Sequence, residues 1–276
     1  RRDVSVNGTA SDEIHTDPYG RIKVAFHWHR EKKNDDTDSC WVRCMMPWTG
    51  KNWGMIHIPR VGQEVVIDFE EGDPDRPLCI GMVYNDENMP PYTLPENMTQ
   101  SGVKTDSSKG GGGYNELRFE DKKGSEEVYF QAEKDYNQVV KNHATMTVGL
   151  QKGGNMDLTV NDDLTETVKK GDHSFTVEKG DQTMEVSMGK QTETIQGDVT
   201  WTVNQGKVDR RVKMGNVTDT LDMGNFTRTL KMGNEKVALK LGNREVKADL
   251  GKITYEAMQK IELKVGGSSV VIDQMG

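Results

Sequence analysis

The residues best suited to chemistry sit in the first third of the chain. His27 and His29 alternate in "RIKVAFHWH", so on a strand both would project from one face. Cys40, Cys44, His57 and Cys79 follow within about fifty residues and add the nitrogen and sulfur ligands that zinc prefers. Their spacing matches no zinc pattern, and the expectation is an ordinary strand surface with no metal and no cofactor. Three cysteines are also too few for a disulfide framework and fit thiols in a reducing compartment. "GDPD" at 72–75 has the acidic residues of a cation loop, but Pro74 and Pro77 make a hairpin turn the simpler expectation. The glycine run 110–113 lacks the Lys-Ser/Thr that follows in a phosphate loop, and "SSKGGGG" reads as a linker that is flexible or tightly turned. "GDH", "GDQ" and "GDV" after Gly171, Gly180 and Gly197 fall short of a calcium nonapeptide, which needs paired glycines and an aspartate in every unit. No carboxylate pair in a foldable cleft stands out, so no catalytic residues are assigned.

The whole chain sets the frame for those side chains. It has 276 residues, of which 33% are hydrophobic and 29% charged, too polar for a large packed core. The net charge of −8 argues against nucleic acid as a partner. No apolar run approaches the length of a membrane span, and the opening "RRDVSVNGTASDE" has no signal-peptide core.

Three zones follow. Residues 1–86 hold short β-branched and aromatic runs, "RIKVAFHWH", "CWVRCMMPW", "WGMIHIP" and "EVVIDFEE", punctuated by "DPYG", "WTGKNWG" and "EGDPDRP". Five or six such strands suit a small barrel such as an OB-fold, with a sandwich as the alternative. Residues 87–143 form a connector, proline-rich at first and then a hairpin around "DKKG", with Leu117 and Phe119 facing Val128 and Phe130.

Residues 144–276 carry a repeat. Gly171, Gly180, Gly189, Gly197, Gly206, Gly215, Gly224, Gly233, Gly242 and Gly251 follow one another at nine residues, except for an eight-residue step from Gly189 to Gly197. With Gly as position zero, apolar residues favour positions two, six and eight. Val212, Met214, Val217, Leu221, Met223, Phe226, Leu230, Met232, Leu239 and Leu241 make the expected core. Even positions share a strand face, but an odd period would turn that face outward in alternate repeats. Each glycine, with the Asn that often follows it, is therefore assigned to a corner that resets the face. Such units need neighbours. Either the chain coils on itself or several chains wind together with their stripes facing a common axis.

"DPYGRIKVAFHWHRE", "GKNWGMIHIPRVGQEVVIDFEEGDPDRP" and "KTDSSKGGGGYNELRFEDKKG" resemble the valine-glycine repeat protein G (VgrG) family of bacterial type VI secretion. The resemblance covers roughly residues 15–125 and rests on long, specific motifs. It implies an all-β homotrimer, with an OB-fold barrel, a connector and an intertwined triple-stranded β-helix similar to a contractile phage tail spike. It further implies a puncturing role in effector delivery, without enzyme activity. The implied partners are secretion tube proteins, through an N-terminal domain that the opening at Arg1 suggests is missing, and a PAAR-type tip protein with effectors at the C-terminal end. The implied location is the bacterial cytoplasm before firing and the outside or a target cell afterwards. A monomeric β-solenoid that binds carbohydrate or serves as an adhesin is the alternative. Its exposed aromatics, Phe175, Trp201, Phe226 and Tyr255, are thinly spread.

Overall fold

The computed structural model describes residues 4–9, 11–150 and 153–273, in two compact units, Arg1–Glu166 and Thr167–Gly276. In the first unit, β1 (Val4–Asn7), β2 (Lys23–Ala25), β3 (Arg43–Cys44), β6 (Glu64–Phe69) and β7 (Pro77–Met82) form one sheet in the order β2-β1-β6-β7-β3. The two outer strands then meet. Just before β2 and β3, Ile22 and Val42 exchange both backbone hydrogen bonds, at 2.9 and 2.8 Å, and close the sheet into a barrel. Closure removes the unpaired edges that a five-stranded open sheet would present. Val4, Val6, Ile22, Val24, Val42, Val65 and Cys79 fill its core. Most are β-branched, as suits the pleated inner surface of a small barrel.

Several sequence expectations change in detail. The strand expected over 21–29 ends at Ala25, because residues 26–29 turn back through a bond from the His29 amide to the Phe26 carbonyl. His27 and His29 therefore lie on a turn. The run 40–48 yields the two-residue β3, and 53–59 yields β5 (Trp53–Gly54), which pairs with β4 (Thr49–Gly50). Pro77–Met82, of which only Pro77 is read from sequence, as the end of a turn, is a full core strand antiparallel to β6. "EEGDPDRP" makes the turn between them, beginning with a single 3₁₀ turn at Glu70–Gly72.

The connector hairpin has the anticipated register. β9 (Glu116–Glu120) and β10 (Glu127–Gln131) oppose Leu117 to Phe130 and Phe119 to Val128. A third strand, β8 (Gln100–Lys104), lies on the other side of β9. Its sequence, "QSGVK", has too little apolar content to announce a strand.

In the second unit the backbone is extended between recurring bends. A hairpin of β11 (Lys260–Val265) and β12 (Ser268–Asp273) ends the described chain, turning on Gly266 at φ +53°. The strand β12 runs through Asp273, and Gln274–Gly276 lie outside the described residues.

Ile22 has no exposed surface and sits at the closing seam. Ile22→Ala is expected to lower unfolding free energy by about 2–5 kcal/mol. The check is a fall in the denaturant midpoint of the barrel transition at unchanged slope.

Candidate interaction surface

The repeat has a fixed anatomy. Three-residue bends fall at 213–215, 222–224 and 231–233, each ending on the glycine, and six extended residues separate them. Gly215 and Gly224 stand at φ +112° and +117°, where a side chain is strongly disfavoured. The paired asparagine does not share this role. Among the described residues, positive φ outside glycine occurs at Asn34, Asn52 and Glu71. Gly171, Gly180, Gly189, Gly206, Gly233 and Gly242 repeat the left-handed geometry, whereas Gly197 and Gly251 mark bends without it.

The expected core residues all lie at the surface of the single chain, in two classes. Residues at position six are about half covered by their own strand, as at Val212 (46% exposed) and Leu230 (47%). Those at position eight sit inside the bend and are almost bare, as at Met214 (93%) and Met232 (94%). Val217, Leu221, Met223, Phe226, Leu239 and Leu241 complete the exposed set. Position six is the most regular column, running Val168, Val177, Val186, Ile195, Val203, Val212, Leu221, Leu230 and Leu239, before alanine takes it at Ala248 and Ala257. Position four was missed by the sequence reading. Phe175, Met184, Val237 and Val246 occupy it where position two is polar, so either of two neighbouring even positions keeps the stripe, except after Gly189, where Gln191 and Glu193 are both polar.

Odd positions carry the opposite chemistry. Lys207 pairs with Asp209 at 2.5 Å and Lys247 with Asp249 at 2.7 Å, two residues apart on one strand face. Exposed pairs of this kind add little stability but keep that face soluble. A soluble face opposite a continuous apolar one calls for a partner.

The backbone makes the same demand more strongly. Among the described residues, no backbone hydrogen bond is formed within the chain between 132 and 257. Extended segments leave every amide and carbonyl in need of a partner once water is excluded. Apolar stripe and open ladder together describe strands that pair between chains.

The comparison with known families agrees with that geometry. Residues 101–239 match the family described as "Bacteriophage T4 gp5 C-terminal trimerisation domain", a span that takes in β8 from its second residue, β9, β10 and eight of the repeat glycines. The chain belongs to the gp5 trimerisation family. In this gp5-type chain, residues 6–84 also match a "Type VI secretion system/phage-baseplate injector OB domain", the extent of the closed barrel. It is similar to three type VI secretion system spike proteins of Pseudomonas aeruginosa. VgrG1a and VgrG1b are each 53% identical over 146 residues, and VgrG5 is 48% identical over 147. These matches cover 52%, 52% and 53% of this chain and 23%, 20% and 19% of the relatives, so the gp5-type chain spans a minor part of their length.

The glycine run of the gp5-type chain is no loose linker. The Gly110 amide and the Ser108 hydroxyl (2.7 Å) both donate to the Glu13 carboxylate, and Arg60 donates to the Asp106 carbonyl at 2.7 Å. Gly110, Gly111 and Gly112 all take positive φ, which lets the loop fold tightly against the barrel. His27 stacks edge-on against Trp28 and His29 lies 4.0 Å from Asp38, while His57 and Cys40 are exposed. Among the described residues no three His, Cys, Asp or Glu side chains converge as metal ligands.

The Gly110 amide, followed by the Ser108 hydroxyl, holds Glu13 below its ordinary pKa of 4.5. A lowered carboxylate stabilises the fold above its unfolded pKa, and the contribution is lost as pH falls through the folded value. Limited proteolysis at 107–113 is therefore expected to be slow and constant near neutrality and to accelerate below about pH 4.5. Glu13→Ala should show the fast rate at every pH.

Proposed function

We propose that this chain is the head and shaft of a homotrimeric type VI secretion spike, whose role is to pierce an envelope and carry cargo rather than to catalyse a reaction. The observation that carries this reading is the extended repeat with its own ladder unfilled and its apolar columns bare. Three copies wound about one axis pair every strand with strands of the other two and bury positions six, eight and two or four together. Membership of a trimerisation family and similarity to spike proteins support the same assembly. The division into barrel 1–86, connector 87–143 and needle 144–276 belongs to this proposal.

The same reading assigns the remaining partners. Tube proteins would act through a further domain on the barrel side, and a tip protein of PAAR type with effectors would sit beyond the needle. Delivery would begin in the bacterial cytoplasm and end outside the cell. The monomeric solenoid is the weaker reading. A single chain coiling on itself forms ladders between its own successive turns, and none is formed among the described residues between 132 and 257.

Sedimentation is expected to give three times the chain mass. Leu230→Asp should abolish the trimer. Three unpaired carboxylates would meet at the axis, at a cost of several kcal/mol each. Sedimentation of the variant checks this, and an intact, equally stable trimer would show that position six faces outward.

A further inference from the structure

Two of the three cysteines meet inside the barrel. β3 and β7 run parallel with Cys44 directly opposite Cys79, and the Met45 amide holds that register by donating to the Cys79 carbonyl at 2.7 Å. Cys79 is 2% exposed and belongs to the core. Cys44 is half-buried, packs against that core, and lines an open cavity of about 500 Å³ with Met46, Trp48, Trp53 and Met55. One sulfur is thus reachable from solution and the other is protected directly behind it. Directly paired strands bring Cα atoms within the span a disulfide needs. β3 is two residues long, so it can yield the small further approach of the side chains.

We propose that Cys44 and Cys79 are an oxidation site that a small-molecule disulfide closes into a bond between β3 and β7. Cys44 attacks one sulfur of the small disulfide as the thiolate, its proton held on Cys79, and breaks that disulfide; the small thiolate released takes the proton from Cys79 and leaves as a thiol. The Cys79 thiolate then attacks Cys44 sulfur, breaks the mixed disulfide and expels the second small thiolate. Two protein thiols are oxidised by two electrons, and the small disulfide is reduced to two thiols. The neighbouring Cys44 thiol draws the Cys79 pKa down to about 7 against the opposing effect of burial, which supplies the resolving thiolate near neutrality. Cys44 is pushed up by the same contact. The pair therefore holds one proton between two sulfurs, and attack by Cys44 proceeds with that proton on Cys79. The bond would clamp the barrel seam beside the Ile22–Val42 closure.

The test uses the full chain in buffer with excess glutathione disulfide, stopped by acid, alkylated, and mapped as peptides without reduction. The expected product joins the Cys44 and Cys79 peptides, is lighter by two hydrogens, carries no glutathione, and leaves Cys40 outside the bridge. Cys79→Ser should instead retain glutathione on Cys44. Thiols that stay alkylatable, glutathione lasting on Cys44 of the unmodified chain, or a Cys40–Cys44 bridge would each overturn the proposal. The unmodified chain decides the matter even if the serine variant fails to fold.

Discussion

An amide in an extended strand must donate to something, and between residues 132 and 257 the described polypeptide offers it nothing. From residue 132 to 257 the described backbone runs bend after bend without an internal ladder. Water can satisfy such groups while they are exposed, but the apolar columns beside them cannot be covered by water at no cost. Whatever covers Val212, Leu221 and Leu230 therefore also brings hydrogen-bonding edges. Identical strands from other copies meet both demands with one set of contacts. Helices could cover the columns but would leave the ladder unmet. The need for intermolecular pairing, more than any single side chain, is what makes the sequence around it intelligible.

The repeat was the most legible part of the chain because it states its rule ten times. Glycine at zero and apolar residues at even positions were readable directly, and the odd period already required a reset at each corner. The division of labour at the corner was not readable. Gly-Asn suggested a shared role, yet the left-handed conformation belongs to glycine alone at Gly215, Gly224 and Gly233. Nor was the exchange between positions two and four apparent from the two repeats that displayed the pattern best. Val217 and Phe226 hold position two, whereas Val237 and Val246 hold position four. Position parity, rather than residue position as such, is what a strand face conserves.

The barrel shows where local sequence gives out. Its alternating valines announced strands, but closure depends on Ile22 meeting Val42, twenty residues apart, at the ends of two very short strands. No local pattern carries that information. Likewise "SSKGGGG" has the composition of a flexible linker, and its order comes from Glu13, almost a hundred residues upstream. A carboxylate that accepts from a glycine amide and a serine hydroxyl turns permissive residues into a defined loop. The three left-handed glycines are then the means of turning the chain there rather than a source of slack.

The one irregular repeat shows that the corner geometry follows from parity. A nine-residue unit has to absorb an odd residue to keep its apolar face in place, and the left-handed glycine at the end of a three-residue bend does so. The step from Gly189 to Gly197 is eight residues, an even number, and alternation then needs no correction. There the bend shrinks to 196–197, and Gly197 leaves the positive-φ region. Ile195 nevertheless keeps position six, and Val203 resumes the column in the following unit. The residue removed is the one at position eight, the bend position that elsewhere holds Met188 or Met214. Thus the element that is dispensable is the one whose purpose the shorter unit has made unnecessary, while the strand-borne column passes through unbroken. Gly251 lacks positive φ in a nine-residue unit, and nothing in the structure explains that exception. It is the last of the series, and after the eight residues that follow it the chain pairs with itself in β11 and β12. Beyond that point the constraint that governs the repeat, strands with no partner in their own chain, no longer applies.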